Sequence, residues 1–323
     1  MNRLTTLSIV FLLLFAPTLG SANPNGVGEG TFDAQCGGAC HGDADMNKSS
    51  SSIVTVEAPD TVYEGLLTSV SITVEQIETT QTGLLGIFLL SSMNGAGDTP
   101  SDQGWSIVSN SGGGSENYVE VTVNPGQSKH TVTWTLRAPS VGTYALHGAI
   151  HHGGQDGSDA PFFGASSTPA SIDVQTVPED LPRLDEAFNP PVERTVGEGT
   201  TVEVTTQFVE GLRVEWRVVG GESQEVPATA NGDETWSFDL PASLQPSVIE
   251  WRAHLSGEGP EQTTPWFQLK SEEPKWSVDE TTAYVQSVAM LLAFMAGFMA
   301  LQHRTSSSSK AYEDDMFEEG GEA

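Results

Sequence analysis

Short runs of strand-forming residues, separated by turn residues such as Asn124-Pro125-Gly126, follow one another along most of this chain. The runs are short and rich in β-branched and aromatic residues, which favours strands over helices. The predicted strands are 53–58, 69–75, 84–90, 118–123, 131–137, 143–151 and 171–177, followed by 200–206, 212–219, 235–239 and 247–255. This spacing is typical of antiparallel β-sandwiches, so we predict an all-β fold for the body of the chain.

The predicted strands form two sets. A first domain at 53–177 and a second at 193–270 are separated by a Pro- and acid-rich segment at 178–192, which we interpret as a linker. In the first set the run 84–90 is apolar throughout, which predicts the most buried strand. In the second set Trp216 and Trp251 lie in two similar runs, and we expect both, with Trp236, in the core. The sequence therefore predicts two immunoglobulin-like antiparallel β-sandwiches.

Two apolar stretches mark the ends of the chain. Residues 1–22 combine a basic start, a short apolar run and small residues, which is typical of an export signal. Residues 281–302 carry no charge, and roughly 20 such residues cross about 30 Å of hydrocarbon as a helix. The basic residues beyond them predict a single-pass protein of the cell membrane. Its extracytoplasmic body leads through a juxtamembrane segment at 271–280 to the helix, and an acidic cytoplasmic tail follows at 303–323.

The chain is strongly acidic, with 43 Asp and Glu against 13 Lys and Arg and a formal net charge of −30. Such a surface repels phosphate backbones, which excludes nucleic acid as a partner. The sequence contains no nucleophile elbow, phosphate-binding loop or zinc-protease helix motif. We therefore interpret the charge as a means of staying soluble in a saline medium, and we expect a protein that is not an enzyme.

Both cysteines of the chain lie in one motif, Cys36-Gly37-Gly38-Ala39-Cys40-His41, within the Gly- and Ser-rich segment 23–52. One interpretation is covalent attachment of haem c to both thiols, with His41 as axial ligand, although the usual spacing has two residues between the cysteines. A second is a local disulfide, which an oxidising compartment favours. A third is a Cys/His metal site, for example for copper. The imidazole directly after Cys40 favours haem, because a structural disulfide has no use for it.

A haem also needs a ligand or a pocket on its other face, and several histidines are candidates. Side chains alternate along 143–152, so His152 lies on one face of that strand while His147 and His151 lie on the other. His130 stands at the start of a core-facing stripe in its own strand. We rank His130 and His152 first as distal metal ligands and His147 third.

The motif and the strands together resemble a known family. Besides residues 36–41, the matching elements are Trp-Thr-Leu-Arg-Ala-Pro at 134–139, Gly-Thr-Tyr-Ala-Leu-His-Gly at 142–148, and 153–159. Over about residues 30–177 the chain resembles the choice-of-anchor surface proteins of bacteria and archaea. The resemblance implies a Reeler-like sandwich, a place at the cell surface and a motif of the haem c type. The third residue between the cysteines departs from the family pattern.

These observations predict a membrane-anchored extracytoplasmic protein that binds one c-type haem and exchanges electrons with a redox partner protein at the cell surface. The alternative is a non-enzymatic adhesion or envelope module, in which Cys36 and Cys40 form a disulfide and no cofactor is bound. A copper site would instead require several histidines to converge on the two cysteines.

Overall fold

The described part of the chain forms two β-sandwiches and a long C-terminal helix, which confirms the predicted all-β, immunoglobulin-like class with a C-terminal apolar helix. The structure is a computed structural model and describes residues 30–34, 48–77, 83–152, 162–274 and 280–318. The chain divides into two compact units, 1–273 with both sandwiches and 274–323 with the helix.

The first sandwich is built from two sheets. One sheet has the strand order β1-β10-β9-β11-β3, with β5 paired to both β9 and β7, and the other has the order β2-β4-β8-β6. The strands are β1 (Lys48–Ser49), β2 (Ile53–Glu57), β3 (Thr61–Tyr63), β4 (Leu67–Glu75), β5 (Gly83–Leu90), β6 (Ser106–Asn110), β7 (Tyr118–Val123), β8 (Lys129–Arg137), β9 (Gly142–His152), β10 (Phe162–Ala165) and β11 (Ala170–Gln175), with a short 3-10 helix at Pro100–Gln103. The pairs β1–β10 and β3–β11 are parallel, and the other described pairs of this sandwich are antiparallel.

The core of the first sandwich follows the alternation of its strands. Val132, Trp134 and Leu136 of β8 are buried, as the stripe in the sequence predicts, and the residues between them face outward. The indole Nε1 of Trp134 donates to the carbonyl oxygen of Glu116 over 2.9 Å, so this large side chain is buried with its polar atom satisfied.

From Leu85 onward, strand β5 is buried on both of its faces. Leu85, Ile87 and Leu89 point into the sandwich core. Phe88 and Leu90 point the other way, into a second apolar cluster on the outside of the same sheet. This outer cluster comprises Ala34, Phe88, Leu90, Tyr118 and Ala149, with Phe32 and Phe163 packed against it. A strand covered on both sides needs an uninterrupted apolar run, which explains the composition of 84–90.

The second sandwich also has two sheets. Their strand orders are β12-β14-β18-β17 and β13-β21-β19-β15-β16, with β20 paired to β19. The strands are β12 (Arg183–Leu184), β13 (Glu193–Thr195), β14 (Thr200–Gln207), β15 (Gly211–Val218), β16 (Gln224–Val226), β17 (Thr229–Gly232), β18 (Thr235–Leu240), β19 (Ser247–Ser256), β20 (Gln262–Thr263) and β21 (Phe267–Glu272). Trp216 and Trp251 stand opposite each other on β15 and β19, as expected for two equivalent core strands. Trp251 is fully buried, and Trp216 and Trp236 pack against its cluster.

The two sandwiches contact each other directly within the first unit. The hydroxyl of Thr135 donates to the carbonyl oxygen of Trp266 over 3.3 Å, and the hydroxyl of Ser109 donates to Oε1 of Gln268 over 3.0 Å. Part of the segment 178–192 belongs to the second sandwich: its residues 183–184 form β12, which pairs with β14, and Leu184 is buried in the core of that sandwich.

The helix α1 (Glu280–Glu318) continues well beyond the span expected from the sequence. Its part Thr281–His303 is long and apolar enough to cross a membrane, and its apolar side chains are exposed in the structure. This helix fits a role as a membrane anchor.

Candidate cofactor-binding site

The residues Cys36, Cys40 and His41 lie outside the described residues, as does the export signal at 1–22, but the chain on both sides of the motif is described. The first flank is 30–34 and the second is 48–50. Both flanks are attached to the same sheet of the first sandwich.

The first flank crosses the outer face of this sheet. Gly30 forms an antiparallel bridge with Tyr118. The buried side chain of Asn117 accepts from the backbone nitrogen of Phe32 and donates to its carbonyl oxygen, both over 2.9 Å. The ring of Phe32 packs edge-on against Tyr118 at 5.3 Å between centroids. Ala34 is then buried in the outer cluster, two residues before Cys36.

The second flank follows the edge of the sheet. Lys48 and Ser49 pair in parallel with Phe162 and Phe163 of β10, and the backbone nitrogen of Ser50 donates to the carbonyl oxygen of Phe163 over 2.7 Å. The hydroxyl of Ser50 lies 2.8 Å from Nε2 of His152. The first flank therefore lies beside Tyr118, and the second flank lies beside His152.

His151 is buried in a notch of the outer face. Gly86 stands opposite His151 on β9 and opposite Glu120 on β7. A Cβ at position 86 would overlap with the His151 imidazole and with the Tyr118 hydroxyl, so only glycine leaves room for the pair. This gap at Gly86 allows the His151 imidazole and the Tyr118 hydroxyl to approach each other above the buried strand β5.

The Tyr118 hydroxyl links His151 to a carboxylate. It donates to Oε1 of Glu120 over 2.8 Å and lies 2.6 Å from Nε2 of His151. Because a phenol has one hydrogen to donate, Nε2 of His151 is the donor to the phenol oxygen. The ring of Phe88 packs edge-on against the imidazole at 5.2 Å. The result is a hydrogen-bonded chain of three side chains in aromatic surroundings.

His152 lies on the opposite face of β9, as the alternation predicts. Its imidazole stacks on Phe162 with 5.4 Å between ring centroids and an angle of 8° between the planes. The contact with Ser50 therefore places this histidine directly at the second flank of the motif.

The other two candidate histidines, His130 and His147, lie on strands β8 and β9 of the first sandwich. His130 starts β8 in the opposite sheet, where Nε2 of Gln127 donates to its Nδ1 over 3.2 Å, and burial lowers its pKa. Burial also lowers the pKa of His147, against the opposing effect of the charge on Asp98. Within the described ranges no three His, Cys, Asp or Glu side chains are grouped as a metal site would require.

Alternation in the sequence places His151 and His152 on opposite faces, but it gives no sign that His151 is buried. The notch depends on Gly86, and the cover depends on residues 30–34, both distant along the chain. A glycine inside the apolar run 84–90 was the one local signal of a close approach.

Fold and site together define a two-sandwich, all-β protein with a C-terminal apolar helix and a Cys/His motif whose two flanking segments are attached to one sheet. No family model matches the chain, and no curated protein does. Among solved structures, the I-band fragment I67-I69 from titin aligns with a TM-score of 0.22 and 13% identity, over 69% of this chain and 66% of that fragment. A 3Ig structure of the same titin domains, an E-to-A mutated variant, has 14% identity over equal shares and the same TM-score. The chain thus spans just under two thirds of these fragments, and the fold class rests on its own strands and sheets.

Proposed function

We propose that this chain is a membrane-anchored protein of the cell surface that carries one c-type haem on Cys36 and Cys40, with His41 as axial ligand, and exchanges electrons with a redox partner protein. The observation that carries the proposal is the attachment of both flanks of the motif to one sheet, beside two histidines and several aromatic rings. The proposal also rests on the resemblance to the choice-of-anchor surface proteins.

Chain length limits how far the motif can lie from this sheet. An extended chain advances at most about 3.6 Å per residue, so Cys36 lies within about 7 Å of Ala34 and Cys40 within about 22 Å. Ala34 is buried next to Phe88 and Tyr118, which both contact His151. The covalent attachment points of a haem are therefore tied to the outer cluster.

Aromatic residues near the two flanks could contact the apolar faces of a haem. A porphyrin is flat and largely apolar, and Phe32, Phe163 and Phe162 supply aromatic surface near the two flanks. Low polarity and hydrogen bonding around a haem tune its reduction potential, which is the contribution that this surface would make. When bound, the haem supplies reversible one-electron transfer.

Of the two distal ligands ranked first in the sequence, His152 is better placed than His130. Ser50 connects His152 to the second flank, whereas His130 belongs to β8 of the opposite sheet. To bind a metal through Nε2, His152 would have to give up its contact with the Ser50 hydroxyl. His151 would likewise have to give up the Tyr118 hydroxyl.

A second candidate function is a non-enzymatic surface module with a Cys36–Cys40 disulfide. The observation that favours it is that the Nε2 atoms of His151 and His152 already have hydrogen-bond partners in the fold. In this case the segment between the flanks is held by its own disulfide, and the outer cluster serves to fasten the N-terminal part of the body.

The two functions are separated by expressing the full chain together with a haem c maturation system. We expect a covalent haem stain, a Soret absorption band and an intact mass increased by hundreds of daltons, all abolished in a Cys36→Ser/Cys40→Ser control. A mass lower by about two protons than that of the reduced chain, without a Soret band, would establish the disulfide module instead. Copper bound in stoichiometric amount without haem would support the third interpretation.

The proposed orientation places the sandwiches outside the cytoplasm and the tail inside. It is supported by His303, Arg304 and Lys310 following the apolar span, since basic residues favour the cytoplasmic side.

A further inference from the structure

We propose that one end of the second sandwich is an apolar tip that rests on the surface of the bilayer in which the protein is anchored. The tip consists of Val218, Val219 and Leu244. This inference relies on the membrane anchoring in the proposed function but does not depend on the haem. It assigns the second sandwich an interaction surface whose partner is lipid.

Strand topology brings the three residues to the same end of the sandwich. β15 ends at Val218, and the backbone nitrogen of Val219 donates to the carbonyl oxygen of Val248 near the start of β19 over 3.5 Å. Leu244 lies in the loop that enters β19 at Ser247. The backbone nitrogen of Gly197 holds this loop by donating to the carbonyl oxygen of Ser243 over 2.8 Å.

The chain leaves the sandwich at this same end. Ser247, the first residue of β19, is paired with Ser271 of β21, and β21 ends at Glu272. Val196, in the turn after β13, donates from its backbone nitrogen to the carbonyl oxygen of Glu272 over 2.9 Å. The exit toward the helix and the apolar tip therefore belong to one end of the fold.

The three side chains of the tip are exposed, and Leu244 most of all. Leu244 is 90% exposed, and Val218 and Val219 are 53% and 51% exposed. The loop 241–246, Pro-Ala-Ser-Leu-Gln-Pro, contains no charged residue. Three exposed apolar side chains beside an uncharged loop give this end of the sandwich a surface that can contact lipid.

The length of the connection identifies the bilayer as that cover. Eight residues lead from Glu273 to Thr281, the first residue of the membrane-spanning part, and even fully extended they reach at most about 29 Å. Trp276 lies within this connection, and tryptophan favours the interface between lipid and water. Because the connection is short, this end of the sandwich stays near the bilayer, and lipid is the partner most available to it.

The charges at the tip restrict the kind of lipid. Glu198 and Glu222 lie in the turns beside the three apolar residues, and Glu272 at the exit forms an ion pair with Lys270 over 2.6 Å. Carboxylates are repelled by anionic headgroups. The tip therefore suits a bilayer surface without net charge.

The test uses the full chain in nanodiscs of zwitterionic phosphatidylcholine, with Leu244 replaced by the photo-crosslinking residue p-benzoylphenylalanine. The matched control carries the same residue in place of Val141, which is 54% exposed in the turn between β8 and β9 of the first sandwich. We expect a lipid adduct at position 244, detected by mass spectrometry, in at least ten-fold higher yield than at position 141. Because both positions are exposed, neither replacement should affect folding.

Equal lipid yields at the two positions, or crosslinks from position 244 to a second protein chain, would overturn the inference while leaving the anchoring intact. A chain that fails to co-purify with the nanodiscs would contradict the anchoring itself, and the tip with it. A haem stain on the same preparation reports on the redox proposal separately.

Discussion

The two sandwiches share a core design but differ on their outer faces. On the first, the sheet containing β5, β7 and β9 has an apolar outer face that is covered by residues 30–34. On the second, the outer face of β15 and β19 carries charges that satisfy one another. Arg217 pairs with Glu250 over 2.8 Å, and Glu215 accepts from Arg252 and lies 2.8 Å from His254.

Trp266 completes the charged face of the second sandwich. The guanidinium groups of Arg217 and Arg252 lie 3.9 and 4.4 Å from the centroid of its ring. Next to Glu250 on this face, the buried Gln268 accepts from Ser109 of the first sandwich. The difference teaches that the first sandwich binds residues 30–34 on its outer face, and these residues come directly before the Cys/His motif.

The largest effect is expected from Trp251→Ala in the core of the second sandwich. The side chain is fully buried against Phe238 and Phe267, so its removal should lower the free energy of unfolding by about 3–5 kcal/mol. Trp266→Ala, which removes a half-buried ring from the outer face, should cost less than half as much. Urea denaturation measures both, and equal losses would contradict the contrast between core and outer face.

A smaller effect is expected from closing the notch on the first sandwich. Gly86→Ala places a methyl group where the His151 imidazole and the Tyr118 hydroxyl lie, and overpacking of this kind costs about 1–3 kcal/mol. Gly83→Ala in the same strand is the matched control, because a Cβ there meets nothing within 4 Å. Hydrogen exchange of residues 30–34 should rise in the first variant only. Unchanged exchange in Gly86→Ala would show that the notch does not hold the first flank.

The smallest effects concern acid stability, in which the two sandwiches should differ by pH range. Burial lowers the pKa of His130 below its usual 6.5. Below pH 6.5 the unfolded chain therefore takes up a proton at this residue more readily than the folded chain does, so the free energy of unfolding falls as the pH is lowered. Burial raises the pKa of Glu215, but hydrogen bonds from His254 and Arg252 outweigh it and hold that pKa below 4.5. The folded carboxylate therefore stays ionised while the unfolded one is protonated, and stability falls as the pH drops below 4.5.

Denaturation curves of the wild type, His130→Gln and Glu215→Gln between pH 3 and 8 measure these slopes. We expect the first variant to flatten the loss of stability that starts near pH 6.5, and the second to flatten the loss that starts near pH 4.5. Identical slopes in all three proteins would show that neither group contributes to the acid response.

Much of the fold could be predicted because it depends on local pattern. The strand at 118–123 and the two Trp-containing strands were predicted from alternation alone, since inward and outward positions differ in polarity at every second residue. That the two Trp-containing strands pair with each other was not predicted. The apolar span was predicted because a bilayer requires a minimum length of uncharged chain. In the segment 178–192 the strand β12 was not predicted, because two residues carry no periodic signal.

The candidate site could be predicted only in part. The motif itself is a contiguous pattern, and the opposite directions of His151 and His152 follow from alternation. The burial of His151 could not be predicted, because it requires Gly86 on one neighbouring strand and Tyr118 on the next, together with a covering segment from before the motif. Contacts between segments far apart in the sequence produce no periodic pattern of residues from which they could be predicted.

The sequence by itself determined the two sets of strands, the apolar span and the presence of one Cys/His motif, because each is a pattern of neighbouring residues. It also determined that the strand at 84–90 is buried, since a continuous apolar run cannot face water on either side. Only the tertiary structure decided what covers the second face of that strand. Residues 30–34 do so through Asn117 and the outer cluster, because contacts between residues far apart in sequence form only once the sheet itself has formed.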